Sequence, residues 1–415
     1  MVNKLTCFIS CIFFILQKFI NDVFFWDLGI NIPTLFSKYV GYSAKLILED
    51  GTIFDGIGFG YPKSISGEIV FNTGMVGYTE TLTDPSYRGQ ILCFTYPSIG
   101  NYGVPSELEL DEYGIPKYFE SDSIQTSGVV IHDLSNVSSH YTCVKTFDEW
   151  LYGQKVPGIY GIDTRELTKK IRINGVMNGK IIINDESNLN SKENKDIAFD
   201  YDHCNFMNEV SIPFPKFYGK KDDPLVALID TGTKYSIIRN LIKMGLSVIR
   251  MPWNSSISQI LSFNPQGIVI SNGPGDPIIC SETIKTASKI IENSIPTLGI
   301  CLGHQILALA GGAKTHKLKF GHRGQNKTCK DLDSNHSFIT SQNHGYGVEL
   351  ESLVHTDFKL WFQNIDDNTV EGIKHKEKPI IAVQFHPEAS PGPFDCLFVF
   401  EKFKDLIINN GNKNN

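Results

Sequence analysis

The sequence predicts an α/β protein in two parts: a β-rich N-terminal domain, then a domain with a mainly parallel sheet flanked by helices. Two observations support this prediction. Between residues 44 and 135, short β-forming runs are separated by Gly and Pro, which is typical of a strand-rich domain. From residue 225 onwards, apolar strand-like runs alternate with helix-like segments, the pattern of a parallel sheet covered on both faces.

The composition is that of an ordinary globular protein. Of 415 residues, 41% are hydrophobic and 20% are charged, and this length favours two or three domains. The formal net charge is −7, from 38 basic and 45 acidic side chains. Nucleic-acid binding requires a basic face, and no dense Lys/Arg block is present, so we exclude nucleic acid as a partner.

The nine cysteines lie at irregular spacing along the chain. They form no CxxC pair and no Cys/His cluster at zinc-finger spacing, so the sequence predicts no metal site. An odd, diffuse set in a long chain argues against a disulfide scaffold and indicates a reducing compartment. Single histidines such as His140 and His375 fit surface or packing positions better than metal ligation.

Residues 1–43 are an N-terminal extension of open role. The apolar run "LTCFISCIFFIL" (5–16) is shorter than the ~20 residues that span a membrane, so no membrane contact is expected. It lacks a convincing cleavage site and the Arg and Ser enrichment of a transit peptide. We favour a start assigned too far upstream, or an extension packed on the domain, over a signal segment.

The first domain is predicted to span residues 44–185. "AKLILEDGTIFDGIGFG" (44–60) alternates apolar and polar residues around "EDG", which indicates a hairpin, and short strands follow in 67–103 and 127–135. The segment 159–175 changes to a helical period, with Asp163 and Glu166 as a capping arrangement and Gly175 as its end. "NGKIIIND" (178–185) reads as a strand.

A polar stretch at residues 186–222 is predicted to be a partly ordered linker. The second domain, 223–410, follows. Its strands are predicted at 225–230, 247–253, 267–273, 297–300 and 380–385, and its helices at 234–245, 256–264, 281–294 and 304–313. In such sheets ligands gather at the carboxyl ends of the strands, which selects the loops after Ile270, Ile300 and Phe385.

The loop after Ile300 carries "GICLGHQ" (299–305), a strand, Gly-x-Cys-x-Gly and a helix. This is the cysteine version of a nucleophile elbow. Gly299 and Gly303 permit a crowded turn, and the following helix N-terminus favours the thiolate of Cys301. Backbone N–H groups just beyond the cysteine are placed to hold an oxyanion. A buried, unreactive cysteine is the alternative at this point.

The loop after 380–385 begins "HPEAS", so His386 and Glu388 follow the end of a strand. A thiol nucleophile needs a base, and the base needs an orienting acceptor; both reach the same edge of the sheet as Cys301. The third loop, "SNGPGDP" (271–277), has a rigid Gly/Pro turn, which could be a plain connection. Its position beside the strand of the elbow favours a site for a substrate carboxylate or an oxyanion. No Walker motif occurs in the chain, so no ATP site of that kind is expected.

These loops, "GICLGHQ", "SNGPGDP" and "HPEASPGP", together resemble class I (triad) glutamine amidotransferases. "FNTGMVGYTETLTDPSYRGQI", "YPSIGNYG", "GIDTRELTKKIR", "MNGKI", "FGHRGQN" and "QNHGYG" resemble the small, glutamine-hydrolysing chains of carbamoyl-phosphate synthetases. The resemblance covers about residues 44–405, and several long motifs in the right order make it specific. It implies that 44–185 is the small-chain N-terminal domain and 223–410 the amidotransferase domain.

The resemblance implies a mechanism at named positions. Cys301 would attack the side-chain amide of glutamine, with His386 as the base and Glu388 as its orienting partner, releasing ammonia and leaving a thioester. The implied glutamine-binding residues are Ser86, Gly273, Gly275, Leu302, Gln305, Asn343, Gly345 and Tyr346. Tyr346 stands where the family often has Phe, so this chain adds a hydroxyl.

The resemblance also implies a large synthetase chain as partner, in a heterodimer or a higher oligomer. ATP, Mg²⁺ and bicarbonate would be used on that chain, with no cofactor on this one, to make carbamoyl phosphate for arginine and pyrimidine synthesis. The bias towards Ile, Asn and Lys suggests an AT-rich genome. We therefore expect the plastid (chloroplast) stroma, with a bacterial-type cytoplasm as the alternative.

Two other functions stay open at this stage. An amidotransferase that serves anthranilate or guanylate synthesis would share the Cys, His and Glu but lack the β-rich first domain with "DPSYRGQ". A non-catalytic subunit that only stabilises a large partner would not need the three residues that are present here.

Overall fold

The computed structural model describes residues 42–183 and 199–413. All but the last two residues of the predicted extension, including the apolar run 5–16, lie outside the described residues, as does the first part of the predicted linker, 186–198. Across the two described ranges, no helix combines the length and the apolar character that crossing a membrane requires.

The first domain is a closed barrel, which confirms the strand-rich prediction. Its strands and the small pair beside it are β1 (Tyr42–Leu48), β2 (Ile53–Gly60), β3 (Ile65–Asn72), β4 (Gln90–Phe94), β5 (Ser98–Ile99), β6 (Gly128–Val130), β7 (Asp133–Leu134), β8 (Pro157–Tyr160) and β9 (Met177–Ile183). The barrel order is β1-β2-β8-β6-β4-β3-β9, and β5 pairs with β7 outside it. The helices are α1 (Tyr78–Leu82), α2 (Phe147–Gly153) and α3 (Thr164–Asn174).

Helix α3 begins and ends where the capping pattern predicts. The Asp163 carboxylate accepts the N–H of Glu166 at 2.8 Å, which satisfies one of the free amides of the first turn. At the other end Gly175 has φ 100°, a left-handed value that a residue with a Cβ rarely adopts. Leu167 and Ile171 lie on the buried face of α3 against the barrel.

The second domain is built on one ten-stranded sheet. Its strands are β10 (Lys216–Tyr218), β11 (Leu225–Asp230), β12 (Ser247–Pro252), β13 (Gly267–Ile270), β14 (Thr297–Ile300), β15 (Thr315–Asp331), β16 (Ser337–Val348), β17 (Phe358–Asn364), β18 (Val370–His375) and β19 (Ile380–Val383). The order is β10-β12-β11-β13-β14-β19-β18-β17-β15-β16. The five neighbouring strands β12, β11, β13, β14 and β19 run parallel to one another. All other pairs in the sheet are antiparallel.

Helices cover both faces of the parallel part, as the alternating pattern predicts. They are α4 (Met207–Val210), α5 (Tyr235–Lys243), α6 (Ile257–Leu261), α7 (Ser281–Glu292), α8 (Leu302–Ala310) and α9 (Phe398–Lys413). Helices α5 and α9 contribute to one apolar core, and α7 and α8 to the other. β13, β14 and β19 lie between them and are buried along their whole length.

The antiparallel half of this sheet, residues 315–375, was not resolved into elements by the sequence pattern. Its strands are long and polar in places: β15 mixes exposed, partly buried and buried positions over 17 residues without a regular alternation. The described part of the predicted linker also contains structure. Lys216–Tyr218 forms the edge strand β10 against β12, and Tyr201, Phe206, Met207 and Val210 are buried.

Candidate active site

Cys301 lies at the turn between β14 and α8, in a strained backbone conformation. Its φ of 53° and ψ of −101° are unusual for a residue with a side chain and are the mark of a nucleophile elbow. The flanking glycines are required by space. A Cβ on Gly303 would overlap the carbonyl oxygen of Ile270, and one on Gly299 would lie 2.7 Å from the carbonyl oxygen of Gly303.

Two groups contact the sulfur of Cys301, which is 2% exposed. The sulfur lies 3.5 Å from the carbonyl oxygen of Asn343, and the side-chain amide of Gln384 donates to the sulfur at 3.6 Å. The side-chain oxygen of Gln384, Oε1, accepts from the side-chain amide of Gln305 at 3.0 Å, which fixes the orientation of the Gln384 amide. Gln384 was not among the predicted site residues, although it stands two residues before His386.

His386 follows β19, the neighbour of β14 in the sheet, so the parallel register brings it to the elbow. Ile300 pairs with Val383, which places the two strand ends side by side. The Nδ1 of His386 lies 2.6 Å from Oε1 of Glu388, and both residues are buried. The structure therefore brings Cys301, His386 and Glu388 to one edge of the sheet, where the sequence predicted them.

The charges around His386 decide its protonation. Burial lowers its pKa, but the negative charges of Glu388 and Cys301 outweigh burial and raise the pKa to about 10. For Glu388, burial raises the pKa, whereas Lys234 and His386 lower it to about 2. His386 is therefore an imidazolium at neutral pH, paired with an ionised carboxylate.

Lys234 is a fourth charged group in this cluster, and the sequence pattern did not reveal it. It stands at the N-terminus of α5 and is 2% exposed. Its ammonium lies 3.0 Å from Oε1 of Glu388 and donates to the carbonyl of Ala389 at 2.6 Å. Although burial lowers the pKa of Lys234, the carboxylates of Glu388, Glu120 and Asp84 raise it above the ordinary value, so the pair is ionised.

An open pocket of about 450 Å³ leads to Cys301 between the two domains. Seven of the eight predicted binding residues line it with Cys301: Ser86, Gly273, Gly275, Gln305, Asn343, Gly345 and Tyr346. Leu302 is not in the lining, but it is the first residue of α8, whose N-terminal amides have no acceptor within the helix. The pocket also takes in Lys317, Arg323 and Tyr201, which the sequence did not point to.

Asp84 joins the two domains at this pocket. It comes from the first domain, where it precedes a 3₁₀ turn, Pro85–Tyr87, and accepts the N–H of Ser86 at 2.9 Å. The same buried carboxylate accepts the side-chain amides of Asn343 at 2.9 Å and Asn272 at 3.2 Å, both in the second domain. Asp84 therefore fixes residues from a turn, a loop and strand β16 around the pocket.

Part of the predicted linker lies over the pocket. The hydroxyl of Tyr201 accepts the N–H of Gly275 at 3.2 Å. Asp202 accepts from the hydroxyl of Tyr346 at 2.7 Å and from the ammonium of Lys317 at 2.6 Å. The hydroxyl that distinguishes Tyr346 from Phe thus has a partner in this segment. The aromatic residues at 201 and 206, within a polar stretch, were the available sequence signal.

The fold and the site define a class of protein, and comparisons with known families agree with it. Residues 227–406 match the family model "Glutamine amidotransferase class-I". Residues 46–181 match the model "Carbamoyl-phosphate synthase small chain, CPSase domain". The second domain is therefore of the class I amidotransferase type, and the barrel domain is of the small-chain type.

Whole-chain comparisons identify the particular family. The chain is 49% identical over 364 residues to the carbamoyl phosphate synthase small chain of Pyrococcus furiosus, covering 87% of this chain and 97% of that protein. It is 45% identical to the small chain of Saccharolobus solfataricus, with the same coverage, and 45% identical to the arginine-specific small chain of Neurospora crassa, covering 90% and 82%. The chain belongs to the carbamoyl phosphate synthase small-chain family.

Proposed function

We propose that this chain hydrolyses L-glutamine to glutamate and ammonia, as the glutaminase subunit of a carbamoyl-phosphate synthetase. One observation carries the proposal. A cysteine in an elbow conformation lies at the floor of a pocket shared by both domains, beside a buried imidazolium–carboxylate pair. This arrangement supplies a nucleophile, an acid and an orienting group within one site.

The reaction steps follow from the protonation of His386 and Glu388. In the proposed reaction the thiolate form of Cys301, the nucleophilic form of a cysteine, attacks the side-chain carbonyl carbon of glutamine while His386 holds the proton. The oxyanion that forms is held by the backbone N–H of Leu302 at the start of α8, because the next three N–H groups already donate to the carbonyls of Ser271 and Cys301. His386 donates its proton to the amide nitrogen, the C–N bond breaks, and ammonia leaves. His386 then removes a proton from water, which attacks the thioester and releases glutamate.

The pocket residues position the substrate for this attack. We assign Ser86, Gly273, Gly275, Gln305, Asn343, Gly345 and Tyr346, with Leu302, to glutamine binding. The side chain of Gln305 is fixed by the carbonyl of Tyr346 at 2.8 Å and by Gln384, and the ring of Tyr346 is fixed through its hydroxyl by Asp202. These contacts hold the pocket in shape before substrate binds, which lowers the entropy cost of positioning.

A second pocket offers the ammonia a way out. It is lined by His386, Asn343, Lys234 and Pro391, together with residues of the first domain such as Tyr87. Asn343 lines both pockets, so the two adjoin at this residue. Ammonia released beside His386 would enter this second pocket and pass from there to the partner chain.

The partner in this proposal is a large synthetase chain that uses ATP, Mg²⁺ and bicarbonate to make carbamoyl phosphate. The family assignment supports it, and so does the lack of a Walker motif in the sequence. The arginine-specific names of fungal relatives support a place in arginine synthesis, with pyrimidine synthesis as the other use. The plastid compartment rests on composition alone and stays a prediction, with a bacterial-type cytoplasm as the alternative.

The proposal is tested by measuring what the full chain does with glutamine. We expect it to release ammonia and glutamate in equal amounts, slowly by itself and faster with the large synthetase chain of a relative and ATP. Asparagine, one methylene shorter, is the matched control and should give much less ammonia. Stimulation instead by a chorismate-using or nucleotide-using synthase would favour the alternative amidotransferases, and no ammonia in any mixture would contradict the proposal.

Replacing Asp84 by alanine should weaken glutamine binding. The change removes the carboxylate that accepts hydrogen bonds from Asn343, Asn272 and the backbone N–H of Ser86. The pocket therefore loses the contact that joins its two domains. Hydrogen bonds to a buried charge contribute about 1.5–3 kcal/mol, so KM for glutamine should rise about 10- to 100-fold in a steady-state ammonia assay. Asp163→Ala removes a similar carboxylate–amide bond at α3, away from the site, and should leave KM unchanged. Equal KM values in the two variants would show that Asp84 does not hold the glutamine pocket together.

A further inference from the structure

A second cluster of metal-ligating side chains lies in the antiparallel half of the large sheet. His322 on β15, His344 on β16 and Glu371 on β18 are at most 5% exposed, and one ligand atom from each lies within 4.8 Å of the others. The Nδ1 of His322 is 3.2 Å from Oε1 of Glu371, and the Nε2 of His344 is 3.9 Å from the same oxygen. The proposed glutamine chemistry uses none of these ligand atoms.

The outer nitrogen of each histidine already has an orienting acceptor. The Nε2 of His322 lies 2.8 Å from Oδ2 of Asp367, and the Nδ1 of His344 lies 2.8 Å from the carbonyl oxygen of Tyr346. A carbonyl oxygen can only accept, so the Nδ1 of His344 carries a proton. Metal-binding histidines in proteins are held in this way, by a carboxylate or a backbone carbonyl on the nitrogen that faces away from the ion.

Oε1 of Glu371 already accepts from the side chains of Asn364 at 3.0 Å and Thr369 at 3.3 Å, but two other atoms of the cluster lack a donor. With its proton on Nδ1, a neutral His344 presents the lone pair of Nε2 to Glu371 and, at 3.4 Å, to Oε1 of Gln342. Oε2 of Glu371 has no hydrogen-bond partner among the described residues, although the residue is fully buried. Buried acceptors that face one another repel, and a cation between them removes the repulsion.

We propose that His322, His344 and Glu371 form a binding site for one divalent transition-metal ion, with Zn²⁺ the best match. Two imidazoles and one carboxylate are a donor set that zinc accepts, leaving a fourth position for water. In a tetrahedral zinc site the neighbouring donor atoms lie about 3.3 Å apart, and the separations of 3.2 and 3.9 Å bracket that value. A proton shared by His322 and Glu371 is the competing occupant.

The ion would have a structural role beside the substrate pocket. It would join the consecutive strands β15 and β16 to β18, and the spacing of its three ligands matches no known motif. His344 itself lines the pocket together with Asn343 and Gly345, so the ion would also hold the pocket strand β16 in place. The site stands independently of the proposed glutamine chemistry.

Zinc content is the direct test. The full chain should carry the change Cys301→Ala, so that zinc on the reactive thiol is not counted. After incubation with ZnCl₂ and dialysis, we expect this chain to retain one more equivalent of zinc than Cys301→Ala combined with Glu371→Gln or with His322→Gln. Zinc should raise the melting temperature of the first chain by about 5 °C and leave the double variants unchanged. Mg²⁺ in place of zinc should have no such effect.

The matched control is His203→Gln, also with Cys301→Ala. His203 forms an exposed pair with Asp200 at 2.8 Å, so its loss should not change the retained zinc. No retained zinc in the Cys301→Ala chain, or equal zinc in the Glu371 and His322 variants, would overturn the proposal. If those variants fail to fold, the spectrum of bound Co²⁺ decides: thiolate charge-transfer absorption would place the ion on cysteine and refute the site, and its absence supports the site.

Discussion

Replacing Cys301 by alanine should reduce ammonia release from glutamine by at least about 10³-fold. The sulfur lies at the elbow between β14 and α8 and is the atom that would form the thioester. His386 carries a proton that it can pass to the leaving nitrogen, but without the thiolate it has no nucleophile to assist. The synthetase partner should still accept free ammonia, because Cys301 acts only in the release of nitrogen. The measurement is ammonia and glutamate formation by the full chain, with and without added ammonium salt.

Cys280→Ala is the matched control for this change. Cys280 is also buried, at 1% exposure, and burial raises its pKa to about 12, so it remains a thiol. We expect normal glutamine hydrolysis from this variant. Substantial ammonia release by Cys301→Ala, or an equal loss in both variants, would show that the elbow cysteine is not the nucleophile.

Replacing Lys234 by methionine should reduce both kcat and stability. Its ammonium contacts Glu388 and the carbonyl of Ala389, so it fixes the turn that orients His386. Removing one partner of a buried ion pair typically costs 3–5 kcal/mol, and we expect about 3 kcal/mol here because His386 still faces Glu388. The free energy of unfolding and kcat for glutamine are the readouts. We expect kcat to fall by at least about 10-fold, with KM little changed.

Lys285→Met is the control for Lys234→Met. Lys285 pairs with Glu282 at 2.8 Å on the surface of α7, and both side chains are more than half exposed. Exposed pairs of this kind contribute about 0.2–1 kcal/mol, so stability and kcat should stay close to those of the unsubstituted chain. Equal effects of the two changes would mean that the buried ammonium has no special role.

The acid dependence of stability gives a second readout for Lys234. The pKa of Glu388 is lowered from 4.5 to about 2 in the folded chain, so this carboxylate stabilises the fold above pH 4.5. That contribution is lost as the pH falls from 4.5 towards 2. Because Lys234 is one of the charges that lower this pKa, Lys234→Met should raise it and shrink the contribution lost in that interval. An unchanged acid profile would contradict the coupling between the two groups.

The sequence was most informative where a local pattern dictates a local structure. The glycines around Cys301 required a tight turn, and the alternation of strands and helices placed that turn at a sheet edge with His386. Asp163 and Gly175 set the ends of α3 through capping and a left-handed φ. The glutamine-binding candidates came instead from the resemblance to a known family, and seven of the eight line the pocket.

Groups that act across the fold could not be found from the sequence. Lys234 precedes an ordinary amphipathic helix, and only the packing of α5 brings its ammonium to Glu388. Asp84 reads as a turn residue until Asn343 and Asn272 reach it from the other domain. Tyr201 and Asp202 lie in a segment whose polar composition predicts a linker, although their contacts are with the pocket.

The sequence by itself therefore determined the fold class, the elbow and the catalytic candidates, because each depends on local patterns along the chain, whereas the substrate-binding candidates came from the family resemblance. Only the tertiary structure decided the charges around His386, the junction through Asp84 and the convergence of His322, His344 and Glu371. The physical reason is that Coulomb interactions and hydrogen bonds depend on distance in space, and strands that are far apart in sequence become neighbours only in the folded sheet.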